Sequence, residues 1–435
     1  MKKNNNCGLP IYIIGAGIAG ISCAKQLQDA GKSVIILESR DRIGGRIDSN
    51  KMNDDIFDLG ASWIHGIQNN PIWTLSQKFK IKTQVFNYGQ PQYFHANGQL
   101  FTKYEVQVFE NYIEKIQSLL LESEHESALL AVQNILNSLD DQNHAFSAQD
   151  LKMLLLSFFQ FVANDPYATD LEQLSSQYQN YEGYFEGDEV IFPEGYTQVI
   201  HHLAQDLDIK LNVKVQKISL KSGYVEIEDQ HHQIFQASQI VVAVPLGVLK
   251  HGHLQFSPPL ADPYRHAINN MGFGSFNKVF FQLDTVLPLH SSSLEMNSST
   301  LYWSNNKLFN LLDLTHIYQK PTYLMLFGGS ASVFMDRAND NAVWDMIKQS
   351  LQNTFKTTIG QPKDLIITRW GSDPNSYGSF SFPALHYNQK LTQVFENHID
   401  GKVFFAGEHC SLKYAGTVHG AYINGYETAQ RILNL

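Results

Sequence analysis

Two short, wholly apolar runs stand near the start of the chain, Ile11-Tyr12-Ile13-Ile14 and Val34-Ile35-Ile36-Leu37. Four apolar residues with no polar alternation suit a strand buried on both faces, as in a parallel sheet covered by helices. Between the runs, Ile18, Ile21, Ala24, Leu27 and Gln28 mark one side of a helix that Gly31 stops. Strand, helix and strand in that order predict a βαβ unit and an α/β class with a Rossmann-like start.

The pattern changes between about Tyr104 and Val162. Leu119, Leu120, Ala128, Leu129, Val132, Ile135 and Leu136 follow helical spacing, and glycines are few. Such a block cannot extend a Rossmann sheet, so it predicts a second, α+β domain. The α/β pattern returns with a helix over Gln198–Ala204, a strand over Ile209–Val215 and a strand over Ser238–Val244 ahead of Pro245. Longer strands follow at Phe276–Asp284 and Tyr323–Phe327. A strand at Val403–Ala406 and a helix over Val418–Leu433 then restore the first pattern. We therefore expect two interleaved domains. Residues 1–75, 190–262 and 386–435 would form the dinucleotide-binding one. Residues 76–189 and 263–385 would form a substrate-binding one of mixed sheet plus helices.

Composition narrows the partners. The 435 residues are 43% hydrophobic and 17% charged, enough apolar material for a large core. Only the Met1–Cys7 tail and a Ser/Asn-rich patch at Ser291–Thr300 read as low in complexity. The formal charge of 32 − 42 = −10 argues against nucleic acid, whose phosphates select basic surfaces. It suits a cationic substrate as well as plain solubility. Cys7, Cys23 and Cys410 are sparse and odd in number, so neither a disulfide framework nor a metal spacing is read, and a cytoplasmic location is expected. No stretch has the eighteen or so uninterrupted apolar residues of a membrane span. A soluble monomer or homodimer is expected.

Gly15-Ala16-Gly17-Ile18-Ala19-Gly20 fits G-x-G-x-x-G between the first strand and helix. Gly15 serves the tight turn, Gly17 lets the backbone approach a pyrophosphate, and Gly20 lets helix and strand close. Glu38 ends the second strand where a carboxylate binds ribose hydroxyls. This fingerprint alone leaves NAD and FAD both open. The following Ser39-Arg40-Asp41-Arg42-Ile43-Gly44-Gly45-Arg46 is similar to the E-x-x-x-x-x-G-G-R motif of flavoproteins with two dinucleotide-type domains, which points to FAD. Gly44 and Gly45 admit the ligand closely, and the guanidinium of Arg46 can offset pyrophosphate charge.

From Asp58-Leu59-Gly60-Ala61-Ser62-Trp63-Ile64-His65-Gly66 onward the chain resembles the flavin-containing amine oxidase family, which includes monoamine oxidases, polyamine and spermine oxidases and lysine-specific histone demethylases. Four further segments resemble family landmarks in the family's order. They are Phe192-Pro193-Glu194-Gly195-Tyr196, Met271–Val279, Phe404–His409 and Thr417–Ala421. The resemblance spans nearly the whole chain. It implies that Glu38, Arg46 and Glu408 hold ribose and pyrophosphate or ribitol, with Arg40, Gly60, Ala61, Ser62, Trp63, Trp370, Gly407 and Thr417 around the cofactor. Val215 would lie near the adenine. The backbone N–H of Val418, at a helix start, would face the flavin pyrimidine and stabilise negative charge.

Alternation in Phe276–Leu283 puts Phe276, Lys278 and Phe280 on one face of a strand. Lys278 could be an ordinary solvated lysine. The resemblance instead implies that it holds a water against flavin N5, where burial would lower its pKa. The implied reaction is hydride transfer from the carbon beside an amine nitrogen to flavin N5, with O2 as the final acceptor and hydrogen peroxide as a product. Monoamine oxidases have a flavin-bonding cysteine where this chain has Ser379, so noncovalent FAD is expected. Their second cage aromatic falls at Thr417, a departure that favours polyamine oxidases. Phe380, His65, Tyr414 and Thr417 are the expected substrate-side residues. A long polyamine also calls for distal carboxylates, and Asp165 and Glu186 lie in the segment where such acids could sit, but both are read as surface charges; His201-His202 and His231-His232 are read as not metal-binding. The alternatives are a monoamine or L-amino-acid oxidase on the same scaffold and a non-catalytic flavin-binding regulator.

Overall fold

The computed structural model describes residues 8–89, 91–123, 125–139, 143–181, 183–289 and 298–435. The Met1–Cys7 tail, Cys7 with it, and residues 291–297 of the Ser/Asn-rich patch lie outside the described residues.

Five parallel strands form the first sheet, in the order Val403–Phe405, Gln239–Val242, Ile11–Ile14, Val34–Leu37, Asp208–Lys210. Both faces are covered, which accounts for the unbroken apolar runs. Ile11 and Ile13 enter one core with Ile21, Leu27 and Phe404, whereas Tyr12 and Ile14 enter another with Ile218, Ile227 and Phe405. The first core is closed by the helices Ile18–Asp29 and Val418–Leu433, so the two ends of the chain pack on each other. Gly425 permits this, because a Cβ there would strike the carbonyl oxygen of Ala19. The second core is closed by a four-stranded sheet of Val215–Leu220, Val225–Asp229, Ile234–Ala237 and Gln255–Ser257.

The expected single strand over Ile209–Val215 is two strands. Asn212 adopts φ 59°, which ends the first at Lys210, and Val215 opens the next. The crossing is pinned to the second strand's end by Asn212 N–H donating to Arg40 O (2.9 Å) and Val213 N–H to Glu38 O (2.8 Å). This detour brings residues 213–215 alongside Glu38.

A six-stranded sheet forms the other half, in the order Asp364–Ile367, Phe276–Gln282, Thr322–Gly328, Lys307–Asp313, Ser298–Ser304, Gln92–Phe94. Trp344, Ile347 and Leu351 of the helix Asp340–Phe355 pack on one part of it. Leu301 and Trp303 pack into the helices Lys103–Leu121, Ala128–Ser138 and Ala148–Asn164. The first of these three begins at a capping box, with Thr102 Oγ1 accepting from Glu105 N–H while Glu105 accepts from Thr102 N–H. The Leu- and Glu-rich block is thus helical as expected.

Gly15 shows how tightly the first turn is built. Its φ of 111° is left-handed, and a Cβ would lie 2.8 Å from the carbonyl oxygen of Ala243. Gly15→Ala should therefore destabilise the fold by about 1–3 kcal/mol, read as a lowered thermal midpoint. An unchanged midpoint would show that the turn relaxes freely.

Candidate active site

One cavity of about 590 Å³ runs between the two sheets, within the range of roughly 300–1,000 Å³ common for cofactor and ligand sites. At one end Glu38, buried at the tip of the second strand, accepts hydrogen bonds from the N–H of Ala16 (2.7 Å) and of Arg40 (2.8 Å). The carboxylate is thereby fixed facing the glycine turn. Gly15, Gly17, Gly44 and Gly45 line the cavity beside it, and Gly44 N–H donates to Ala16 O (2.8 Å). Gly45 lies beside Gly17, a Cβ there coming 3.4 Å from Gly17 Cα, and its φ of 60° is the left-handed conformation that glycine adopts without strain. Gly20 lies off the cavity and presses on the Gly15 carbonyl, letting the helix close on its strand. Val215 lines the same end with Val213 and Lys214.

Arg46 and Glu408 meet at the middle of the cavity. Arg46 Nη1 donates to Glu408 Oε1 at 2.8 Å and to the carbonyl of Ser379 at 2.7 Å. The other oxygen of Glu408 accepts from Ser381 Oγ (2.6 Å) and Gly416 N–H (2.9 Å). Burial acts to raise the Glu408 pKa, but Arg46, His409 and these donors outweigh it and hold the carboxyl below its ordinary value. Glu408 is thus an anion that orients Arg46 and ties strand Phe380–Phe382 to the last loop. Gly407 lines the wall next to it.

Lys278 is 4% exposed. Its Nζ donates to the carbonyls of Asp58 (3.0 Å) and Gly60 (2.5 Å) and to Ser62 Oγ, and lies 5.5 Å from the Trp63 ring centroid. Three acceptors match the three ammonium donors. Burial nevertheless lowers the lysine's pKa, opposed by the nearby Asp58 carboxyl, whose own pKa burial raises. Gly60, Ala61, Ser62 and Trp63 form the cavity wall around this ammonium.

A buried amide behind the wall fixes it. Asn277 Nδ2 donates to Ser332 Oγ (2.8 Å) and Asp336 Oδ1 (2.9 Å), while its Oδ1 accepts from Trp370 N–H (2.8 Å) and Thr368 Oγ1 (3.2 Å). Thr368 Oγ1 in turn accepts from Lys278 N–H, and Trp370 Nε1 donates to Leu59 O (3.0 Å). The network joins Lys278, Trp370 and the 58–62 loop into one rigid face.

Thr417 caps the last helix: its Oγ1 accepts from Gly420 N–H (2.9 Å) and donates to Tyr414 O (2.8 Å). Val418 opens that helix, and both residues line the cavity, as do Trp370, Phe380 and His65. Phe380 faces Phe276 with ring centroids 5.7 Å apart. Tyr414 is placed differently from expectation. It stands off the cavity, stacked on Phe185 with ring centroids 4.8 Å apart and edge-on to His419 at 5.0 Å.

Asp165, read from sequence as a surface charge, lines the cavity with Tyr88, Tyr167, Tyr181 and Tyr184. Burial pushes its pKa up to about 7, against the pull of a hydrogen bond from Asn310 and the charge of His65. His65, also in the lining, has its Nδ1 2.8 Å from Oε2 of Glu189, which lies outside the lining. Glu186 does not line the cavity. Among the described residues no cluster of side chains suits a metal ion, and no helix is long and apolar enough to cross a membrane.

Fold and cavity together define a Rossmann-like scaffold whose long cavity runs from the glycine turn at Glu38 to Lys278 and Asp165. Residues 18–433 match the model of the flavin containing amine oxidoreductase family, and the chain belongs to that family. It is 29% identical to polyamine oxidase 2 of Arabidopsis thaliana over 97% of this chain and 87% of that one. Against lysine-specific histone demethylase 2 of Homo sapiens the identity is 26%, covering 97% of this chain and 53% of that one. A solved putrescine oxidase double mutant with redesigned cofactor binding superposes with a TM-score of 0.77 at 18% identity, covering 98% of this chain and 99% of the other. The protein is accordingly a flavin amine oxidase.

Proposed function

We propose that this enzyme oxidises a secondary amine of a polyamine, using noncovalently held FAD and O2. The secondary amine, O2 and one water give an aldehyde, a primary amine and hydrogen peroxide, one of each. The observation that carries the substrate class is an aromatic chamber of Tyr88, Tyr167, Tyr181 and Tyr184 with the carboxyl of Asp165 in its lining. Aromatic faces and acids attract ammonium groups. An amino-acid substrate would instead need a cation for its carboxylate. Among the described residues lining the cavity near Lys278 the candidates are His65, His419 and Lys278; burial keeps His419 neutral, its pKa lowered to about 3, and the three donors of Lys278 are already taken.

The cavity residues fit FAD. Glu38 would bind the adenosine ribose, the glycines at 15, 17, 44 and 45 would admit a pyrophosphate, and Arg46, which lines the same cavity, would offset its charge. The start of the helix at Val418 offers free N–H groups to the ring. When bound, the flavin supplies the hydride acceptor at N5. Ser379 Oγ is committed to both the N–H and the carbonyl of Phe276, which supports noncovalent attachment. The residues at 1–75, 190–262 and 386–435 would hold the cofactor, and those at 76–189 and 263–385 would shape the substrate chamber.

The remaining work falls to positioning. Phe276, Phe380 and Trp370 would desolvate the reacting amine and favour its neutral form, the only one that releases hydride. Lys278 would stand at the ring edge; burial lowers its pKa, and the neutral amine would give up one of its three hydrogen bonds and accept one from a water facing N5. Asp165 would anchor the distal ammonium. Cys23 and Cys410 are both buried and free, which supports a reducing, cytoplasmic setting.

Two results test this reading. A screen of amines against peroxide release should rank spermine and spermidine well above benzylamine and L-amino acids; a reversed ranking would replace the polyamine assignment. Asp165 should also make binding pH-dependent. Its carboxyl is raised to about 7, so it is neutral below that pH and anionic above. The KM for spermine should fall as pH rises through about 7, and Asp165→Asn should flatten that change and raise KM by about 10-fold, the scale of one charge-assisted hydrogen bond. A pH profile identical in both proteins would remove Asp165 from the substrate site.

A further inference from the structure

The adenosine end of the cavity is crossed by a segment that no part of the reaction explains. Residues 371–378 leave the second sheet after strand Asp364–Ile367 and pass over the tip of the first. Pro374 and Asn375 line the cavity there, along with Glu38, Val213 and Val215.

Both edges of this segment are anchored, each to a different part of the first sheet. On one side Asp373 Oδ2 pairs with Arg40 Nη2 at 2.9 Å, both side chains largely screened from solvent. The main chain of Arg40 is itself tied to Glu38 through Arg40 N–H at 2.8 Å and to the 211–214 crossing through Asn212. The nearby Arg42 makes its own direct contacts elsewhere, with Asp48 (2.9 Å) and Gly45 O (3.0 Å). The other oxygen of Asp373 accepts from Asn375 N–H (2.8 Å), and its carbonyl accepts from Ser376 and Tyr377 N–H, so the turn is rigid.

On the far side Tyr377 stacks flat on His251, with ring centroids 3.8 Å apart and planes 14° from parallel. His251 follows the helix Leu246–Lys250, which begins beyond the strand Gln239–Val242. Gly247 of that helix lets the segment lie close, because a Cβ there would strike Ser376 O and approach Tyr377 O. Tyr377 holds φ 55°, a left-handed conformation that a bulky residue adopts only when its surroundings enforce it.

We propose that residues 371–378 form a strap that retains the adenosine half of the cofactor, buckled by Arg40–Asp373 and by the Tyr377–His251 stack. Asp373 and Tyr377 are positioning residues: they hold the strap and do not touch the ligand. This rests on the FAD reading above. A dinucleotide seated along Glu38 leaves only when the strap lifts, and lifting breaks a screened ion pair together with a ring stack.

The test separates the two halves of the cofactor. FAD release is followed on dilution of the holoenzyme by recovery of free FAD fluorescence. The FAD-stripped protein is titrated with FMN, which has the flavin and one phosphate but no adenosine. Asp373→Asn should release FAD about 10-fold faster, as expected for loss of one charged contact, with FMN affinity within about 2-fold of the parent. Tyr377→Asn, which keeps the left-handed backbone and removes the stack, should act in the same direction. Release rates unchanged in both variants would overturn the strap. So would FAD and FMN weakening in parallel, which means general loosening. If the parent protein holds FMN as tightly as FAD, the FAD reading itself falls and the strap with it.

Discussion

Lys278→Met should slow flavin reduction by an amine substrate by about 100-fold or more while the protein still binds flavin. The scale is that of removing one group that positions or moves a proton. Methionine fills the same channel, so the wall of Trp63 and Phe280 stays packed, but the carbonyls of Asp58 and Gly60 and the hydroxyl of Ser62 lose their donor. Each group left unpaired costs about 1–3 kcal/mol, so a lower thermal midpoint should accompany the kinetic loss. The two effects are separable. Lys278→Arg keeps a cation and donors but cannot place them at the same point, and should restore stability more than rate. Rapid-mixing absorbance measures the reduction rate directly, and a rate equal to the parent's would remove Lys278 from the chemistry.

Glu408→Gln should have the second large effect, on the cofactor rather than on the rate. The change removes the anion that holds Arg46, and strips the charge from the bonds to Ser381 and Gly416. Breaking a buried pair by removing one partner costs about 3–5 kcal/mol, and here somewhat less because Arg46 is 24% exposed. The purified variant should carry little flavin. The pH dependence has a definite sign. The Glu408 carboxyl is held below its ordinary value in the folded protein, so its contribution is complete above the unfolded carboxyl pKa and is lost as pH falls through the lower folded one. Flavin release on acidification should therefore be blunted in Glu408→Gln relative to the parent.

Much of the fold was legible because its signals are local. Apolar runs without alternation mark strands buried on both faces, and Ile11–Ile14, Val34–Leu37 and Gln239–Val242 are such strands. The glycine turn, Glu38 and the Gly44-Gly45-Arg46 block lie within one βαβ unit, so spacing alone placed them together. The Ile209–Val215 error has a local cause too, since Asn212 at φ 59° is a break that hydrophobicity does not encode.

The substrate side was harder to read because its residues meet through tertiary contacts between distant parts of the chain. Asp165 ends a helix and lines the chamber, yet its flanking residues look like those of any surface turn. Glu189 reaches His65, and Tyr181 joins Glu408 through Ser381, by contacts that no sequence period announces. Asn277 is the clearest case. Next to Lys278 it reads as an ordinary polar residue of a strand, but fully buried it fastens Trp370 and Asp336 behind the site. A buried amide on the strand face opposite a buried lysine was the available signal, and it goes unnoticed unless both faces are assumed covered.

The most direct test of the account is anaerobic mixing of the purified yellow protein with spermine. The absorbance of oxidised flavin should bleach in a single turnover and return on admission of air, with one hydrogen peroxide formed per amine consumed. A yellow colour that persists with spermine, spermidine and simple amines alike would contradict it and leave a flavin-binding protein without amine oxidase chemistry.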